Sequence, residues 1–176
     1  MNLPRMSDRP SLFESLLERY QRPLVRYALT YTPNLEDARD IVQDTFIKFS
    51  AALPSLDPER IAPWLFTVCK NHAVDHHRKH HRLIPMETAA LELESPPDTA
   101  PSPSEDLEHS ETATELHRLI AQLPERQREA VKLKFIAGLD YKQISQAMDT
   151  TIGNVGYLIH HGVQSLRQKW TALETA

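Results

Sequence analysis

The chain has 176 residues, of which 40% are apolar and 25% charged, with four glycines, one cysteine and a formal net charge of -4. These figures fit one or two small helical domains. They exclude an intramolecular disulfide framework, and no apolar run is long enough to cross a bilayer, so membrane insertion is not expected. Nothing at the start reads as a signal peptide, and the single Cys69 suits a core position in a reducing cytoplasm.

Residues 1–10 read as frayed. Leu12, Phe13, Leu16, Leu17, Tyr20, Leu24, Tyr27, Ala28 and Tyr31 then recur at helical spacing, with Pro23 expected to kink or divide the run. Asn34 is placed to cap a second helix starting near Leu35, and Asp37 suits its positive end. In that helix Ala38, Ile41, Val42, Thr45, Phe46 and Phe49 form one face to bury, while Asp37, Asp40, Asp44 and Lys48 form another. The polar face is either solvated or a docking surface.

A loop, 54–63, precedes a third helix after Pro63. Trp64, Leu65, Val68 and Cys69 give it an apolar face, and Lys70, His77, Arg78, Lys79, His81 and Arg82 gather positive charge towards its C-terminus. Cations there suit both the helix dipole and phosphates. The histidines His72, His76, His77, His80 and His81 include three pairs one turn apart. With no nearby Cys, Asp or Glu beyond Asp75 the metal site is incomplete, so no metal or cofactor is expected. The same stretch lacks a convincing general base and an activated nucleophile, which argues against a metal hydrolase or any other enzyme.

Residues 83–110 hold seven carboxylates (Glu87, Glu92, Glu94, Asp98, Glu105, Asp106, Glu108), five prolines and no lysine or arginine. This composition predicts a flexible acidic linker, able to span on the order of 90 Å when extended. The net charge is therefore unevenly distributed, and an overall negative value does not exclude nucleic-acid binding.

The final segment, LPERQREAVKLKFIAGLDYKQISQAMDTTIGNVGYLIHHGVQSLRQKW (123–170), reads as helix, helix, tight turn, helix. Pro124 suits a first helical position, Ala130, Val131, Lys134 and Phe135 follow at three- and four-residue spacing, and Gly138 closes the helix. Tyr141, Ile144, Ala147 and Met148 make a short second stripe. Thr151 can cap the last helix, a contribution of about 1 kcal/mol. Ile152, Val155, Leu158, Ile159, Val163 and Leu166 are expected inward, and Gly153, Asn154, Gly156, Tyr157 and His160 outward. This is a helix-turn-helix layout, which also occurs in ordinary helical bundles.

The whole of 123–170 resembles region 4 of bacterial RNA polymerase sigma factors of the extracytoplasmic-function (ECF) type. The likeness lies in the LPERQRE opening, the Gly-Leu-Asp-Tyr-Lys-Gln-Ile run and the final Leu-Arg. DARDIVQDTFIKFSAAL (37–53) resembles sigma region 2.2, and WLFTVCKNHAVDHHRKHHR (64–82) resembles regions 2.3 and 2.4. The resemblance implies an all-α protein of two small domains, 11–82 and 111–170, joined by the linker 83–110. It implies docking of Asp40, Gln43, Asp44 and Lys48 on core RNA polymerase, at the coiled coil of its largest subunit. It also implies promoter DNA contacts from Trp64, Lys70, Asn71, Arg78, Lys79 and Arg82, which would recognise and open the minus-ten element. Thr151, Asn154, Tyr157 and His160 would face the minus-thirty-five element, and an anti-sigma factor would be a further partner. Trp64 stays open between a core aromatic and a place beside the melted strand. The linker stays open between a passive tether and an imitation of nascent RNA.

One departure from the family concerns the last helix, where Gly156, Tyr157, Leu158 and His161 stand at positions that are usually basic. No lysine or arginine occurs between Lys142 and Arg167. Each missing phosphate contact removes about 0.9 unit of salt-dependence slope, so minus-thirty-five binding should be weak or unusual. Gly156 and Gly162 cost a helix up to about 1 kcal/mol each relative to alanine, which makes this helix dependent on packing or on its target. The alternative function is therefore an interaction protein that sequesters core polymerase or an anti-sigma factor without productive promoter binding.

Overall fold

The structure, a computed structural model, describes residues 9–32, 34–83 and 115–174, with side chains described for 12–32, 34–79 and 115–173. The linker reading, the frayed 1–8 and the side chains of His80, His81 and Arg82 lie outside the described residues. The chain divides into two compact units, Met1–Glu94 and Ser95–Ala176. Among the described residues every element is helical, and no helix is long and apolar enough to cross a membrane.

The first unit packs α1 (Arg9–Ala28), α2 (Leu35–Ala52) and α3 (Ile61–Leu83), with 3-10 turns at Leu53–Ser55 and Pro58–Arg60 between the last two. Helix α1 begins at Arg9, earlier than the sequence suggests, and runs through Pro23 without being divided. The α2 stripe is buried as expected: Ala38, Ile41, Val42, Thr45, Phe46 and Phe49 all face inward. Thr45 is tolerated there because its hydroxyl donates to the Ile41 carbonyl at 2.7 Å, leaving no orphaned polar atom. Phe49 joins the layers, stacking on Phe13 of α1 at 6.0 Å and lying 5.8 Å from Trp64 of α3. Tyr27 meets Phe66 edge-on at 5.3 Å. Helix α3 starts two residues before Pro63, which sits in its first turn, where a missing N–H costs nothing. Ile61, Ala62, Phe66 and Ala73 consequently join Leu65 and Cys69 in the core. Burial pushes the Cys69 thiol up to about 12, with a smaller lowering from its contact with the Thr45 side chain, so this cysteine is an inert core residue.

The second unit contains a helix at 115–121 (α4), α5 (Glu125–Val131), a π-helical turn Lys132–Ile136, α6 (Tyr141–Ala147) and α7 (Ile152–Glu174). Its core comes from Leu119, Ile120, Leu123, Ala130, Val131, Leu133, Leu139, Ile144, Val155, Leu158 and Ile159. Pro124 takes the cap position, one residue before the helix it was expected to open, and Gly138 adopts φ +74° as its closing role requires. The π turn alters the predicted face. Its wider hydrogen bonds, such as Ala137 N–H to the Lys132 carbonyl at 3.0 Å, insert one residue into the helical repeat. Lys132 and Leu133 are thereby turned inward, and Phe135, expected on the apolar face, is 62% exposed.

Candidate functional site

Asn34 fixes the start of α2: its side-chain carbonyl accepts the Glu36 N–H at 2.8 Å, with Glu36 and Asp37 in the first turn. Because six residues of α2 are committed to the core, the opposite face is committed to the exterior. Asp40, Gln43, Asp44 and Lys48 are all exposed there, spread over a little more than two turns. The sequence reading missed Ile47, which lies among them and is 60% exposed. Its signal was a large apolar side chain in the middle of α2 that falls outside the buried stripe. Asp37, expected on this exposed face, is instead half-buried: its carboxylate accepts from the Thr32 hydroxyl at 3.4 Å and lies 3.6 Å from His76 Nε2. It ties the start of α2 to α3.

His72 adjoins this surface. Its Nε2 is shut off from solvent and has no hydrogen-bond partner among the described residues. Burial holds its pKa below the ordinary value, Lys48 and Lys79 add to that effect, and Asp44 and Asp75 oppose it. The unfolded chain therefore takes up this proton first as pH falls through about 6.5, so stability present above that pH is lost as the pH falls on through the lower folded value. Urea unfolding compared at about pH 8 and about pH 5 is expected to show a decline that His72→Gln reduces. Equal declines in the two proteins would remove this role.

On α3, the Trp64 ring lies against Phe49, 5.8 Å away, and is half-buried. Lys70 is half-buried, while Asn71, His77, Arg78 and Lys79 are exposed. Arg78 makes a loose surface pair with Asp75 at 3.8 Å, which leaves the guanidinium available to a stronger anion. Among the described residues no group of three or more His, Cys, Asp or Glu side chains could hold a metal ion.

In the second unit side-chain caps start both α6 and α7, the two helices on either side of the turn 148–151. Asp140 and Gln143 form a reciprocal capping box at the start of α6, with the Gln143 N–H donating to Asp140 Oδ1 at 2.7 Å and the Asp140 N–H to Gln143 Oε1 at 3.0 Å. Asp149 takes φ +47° in the turn. Thr151 caps α7 as predicted, accepting the Asn154 N–H at 3.1 Å. The Asn154 side-chain amide donates to the Thr150 hydroxyl at 2.9 Å, so one of its hydrogens is already engaged. Arg126 Nη2 reaches the Met148 carbonyl at 3.4 Å, tying α5 to the same turn.

Val155, Leu158 and Ile159 are buried as expected, and Val163 and Leu166 are half-buried. Ile152, expected inward, is 52% exposed, because α7 begins to bury its side chains only one turn later, at Val155. The outward face carries Thr151, Gly153, Tyr157 at 58% exposure and His160, with Asn154 and Gly156 half-buried. Tyr157 lies 4.1 Å from the His161 ring, centre to centre. Gly162 is not a weak point of the helix but a point of close approach: a Cβ there would stand 2.8 Å from Val131 Cγ2 of α5.

Residues 16–83 match the family Sigma-70 region 2, and residues 105–166 match Sigma-70, region 4. The chain is 30% identical to the ECF RNA polymerase sigma-E factor of Salmonella typhimurium over 164 residues, covering 89% of this chain and 85% of that one. It is 26% identical to the ECF RNA polymerase sigma factor SigM of Bacillus subtilis, covering 88% and 92%. The fold is shared with the sigma factor RpoE of Bartonella quintana, solved in complex with the anti-sigma factor NepR (TM-score 0.66, 24% identity, 89% and 94% covered). With regions 2 and 4 present in order and that degree of identity across most of its length, the chain belongs to the ECF-type sigma factors of the sigma-70 family.

Proposed function

We propose that the protein binds core RNA polymerase in the bacterial cytoplasm and directs promoter recognition, DNA melting and transcription initiation. The observation that carries this reading is the pairing of a region 2 unit and a region 4 unit in one chain. In the first unit, 11–82, the exposed α2 face of Asp40, Gln43, Asp44 and Lys48, with Ile47 among them, docks on the polymerase. Trp64, Lys70, Asn71, Arg78, Lys79 and Arg82 engage the minus-ten element. Opening that element needs no covalent chemistry: unpaired bases are held by stacking and polar pockets, and the backbone by cations. Residues 83–110 tether the second unit, 111–170, whose Thr151, Asn154, Tyr157 and His160 approach the upstream element. A regulatory anti-sigma factor is a further partner, by analogy with the relative solved with NepR.

The neutral outer face of α7 favours a second reading, sequestration of core enzyme or an anti-sigma factor without promoter reading. Run-off transcription by bacterial core polymerase on a genomic fragment library, with and without the protein, decides between them. Discrete new start sites sharing an upstream motif are expected. Core binding without new starts would establish sequestration instead.

A further inference from the structure

The two glycines in the first turns of α7 lie on its outer face, and nothing inside the unit requires them. A Cβ at Gly153 would meet no atom within 4 Å, and one at Gly156 would make only ordinary contact with Tyr141 at 3.7 Å. Neither glycine has a positive φ, in contrast to Gly138. Gly162, in the same helix, shows what an internal requirement looks like: there a Cβ would collide with Val131 at 2.8 Å. Glycine weakens a helix relative to alanine, so at 153 and 156 the fold bears a penalty without a packing return. Bare backbone on an exposed face permits close approach from outside.

The side chains beside this track are apolar and unusually exposed. Ile152 and Tyr157 are 52% and 58% exposed, on opposite flanks of Gly153 and Gly156 by helical rotation, and the His161 ring backs Tyr157 at 4.1 Å. No lysine or arginine lies between Lys142 and Arg167 to supply phosphate contacts from this face. In the major groove the apolar feature that a side chain can read is the thymine 5-methyl group. Resting on the reading of this unit as region 4, we propose that α7 seats Gly153 and Gly156 against base edges in the major groove. Ile152 and Tyr157 then act as specificity-determining residues by contacting thymine methyls of the upstream promoter element. This recognition replaces cationic phosphate anchoring with shape and apolar contact.

The test uses the full chain with core polymerase and a promoter fragment recovered from the run-off selection. Each thymine upstream of the minus-ten element is replaced in turn by deoxyuridine, which removes only the methyl group. At one or more positions holoenzyme binding is expected to weaken roughly tenfold, and Ile152→Ala or Tyr157→Ala should abolish that sensitivity at its own position. Gly153→Ala should leave the unfolding midpoint unchanged or raised while weakening promoter binding, a split that a merely structural role would not produce. Indifference to every deoxyuridine, or wild-type promoter binding by Gly153→Ala, would overturn the inference while transcription by the wild-type protein continued. Absence of any transcription start would instead sink the sigma-factor reading, and this inference with it.

Discussion

Replacing Asp40 and Asp44 together by lysine is expected to weaken binding to core polymerase by at least roughly 100-fold, because like charges set against each other across an interface cost several kcal/mol. The fold should survive. Both carboxylates are exposed on the face of α2 opposite its six core residues, and neither makes an ion pair among the described residues. The chain would thus present cations where the docking reading requires anions, with no internal bond broken. Asp44 also lies near His72, whose pKa it raises, so the double variant should hold that imidazole neutral more firmly. Ile47→Ala should weaken binding in the same direction through lost apolar contact, and by less. Anisotropy of labelled protein titrated with core enzyme measures the loss, and a circular-dichroism melt checks the fold. Unchanged affinity of a folded double variant would remove α2 as the docking element.

That α2 supports such a prediction reflects how completely its sequence specifies it. Asn34 supplies the cap, and the buried stripe follows an unbroken 3.6-residue period, so every face assignment from Ala38 to Phe49 holds in the structure. Where the period is interrupted the reading slips. The π turn at Lys132–Ile136 shifts the α5 face by one residue, burying Lys132 and exposing Phe135, and no residue type in VKLKFIAG (131–138) signals it. Pro63 looks like a helix start because proline is favoured in the first turn, but it stands at the third position rather than the first. Helix α4 was legible and overlooked: Leu116, Leu119, Ile120 and Leu123 have the spacing of one helical face. The capping box was legible too, as Asp140 followed three residues later by Gln143. The two outcomes for α7 have different causes. Ile152 fits the apolar period but precedes the packed part of the helix, whereas the role of Gly162 depends on a neighbour in α5 that no local pattern encodes.

Gly162→Val is accordingly expected to destabilise the second unit by about 3 kcal/mol, the upper end of the usual overpacking cost. Even the first added carbon would stand 2.8 Å from Val131 Cγ2, with Gln127 Cβ and its carbonyl oxygen each 3.6 Å away, so the new group has no direction in which to relax. Val131 cannot yield readily, since it is 2% exposed and its β-branched side chain is confined to one rotamer in a helix. In a unit of this size each kcal/mol lowers the midpoint by roughly 4–8 °C. The chain has one tryptophan in each unit, Trp64 and Trp170, so in a Trp64→Phe background Trp170 of α7 reports the loss. The smaller pair tests the cause: Gly162→Ala in combination with Val131→Ala should be more stable than Val131→Ala alone, because the added methyl fills the space the valine vacates. Simple additivity of the two changes would show that close approach of α5 and α7 is not why glycine is needed. Since that approach sets how α7 is held behind its outward face, Gly162→Val should lose discrimination at the upstream element. Its core binding, which depends on the exposed face of α2, should persist.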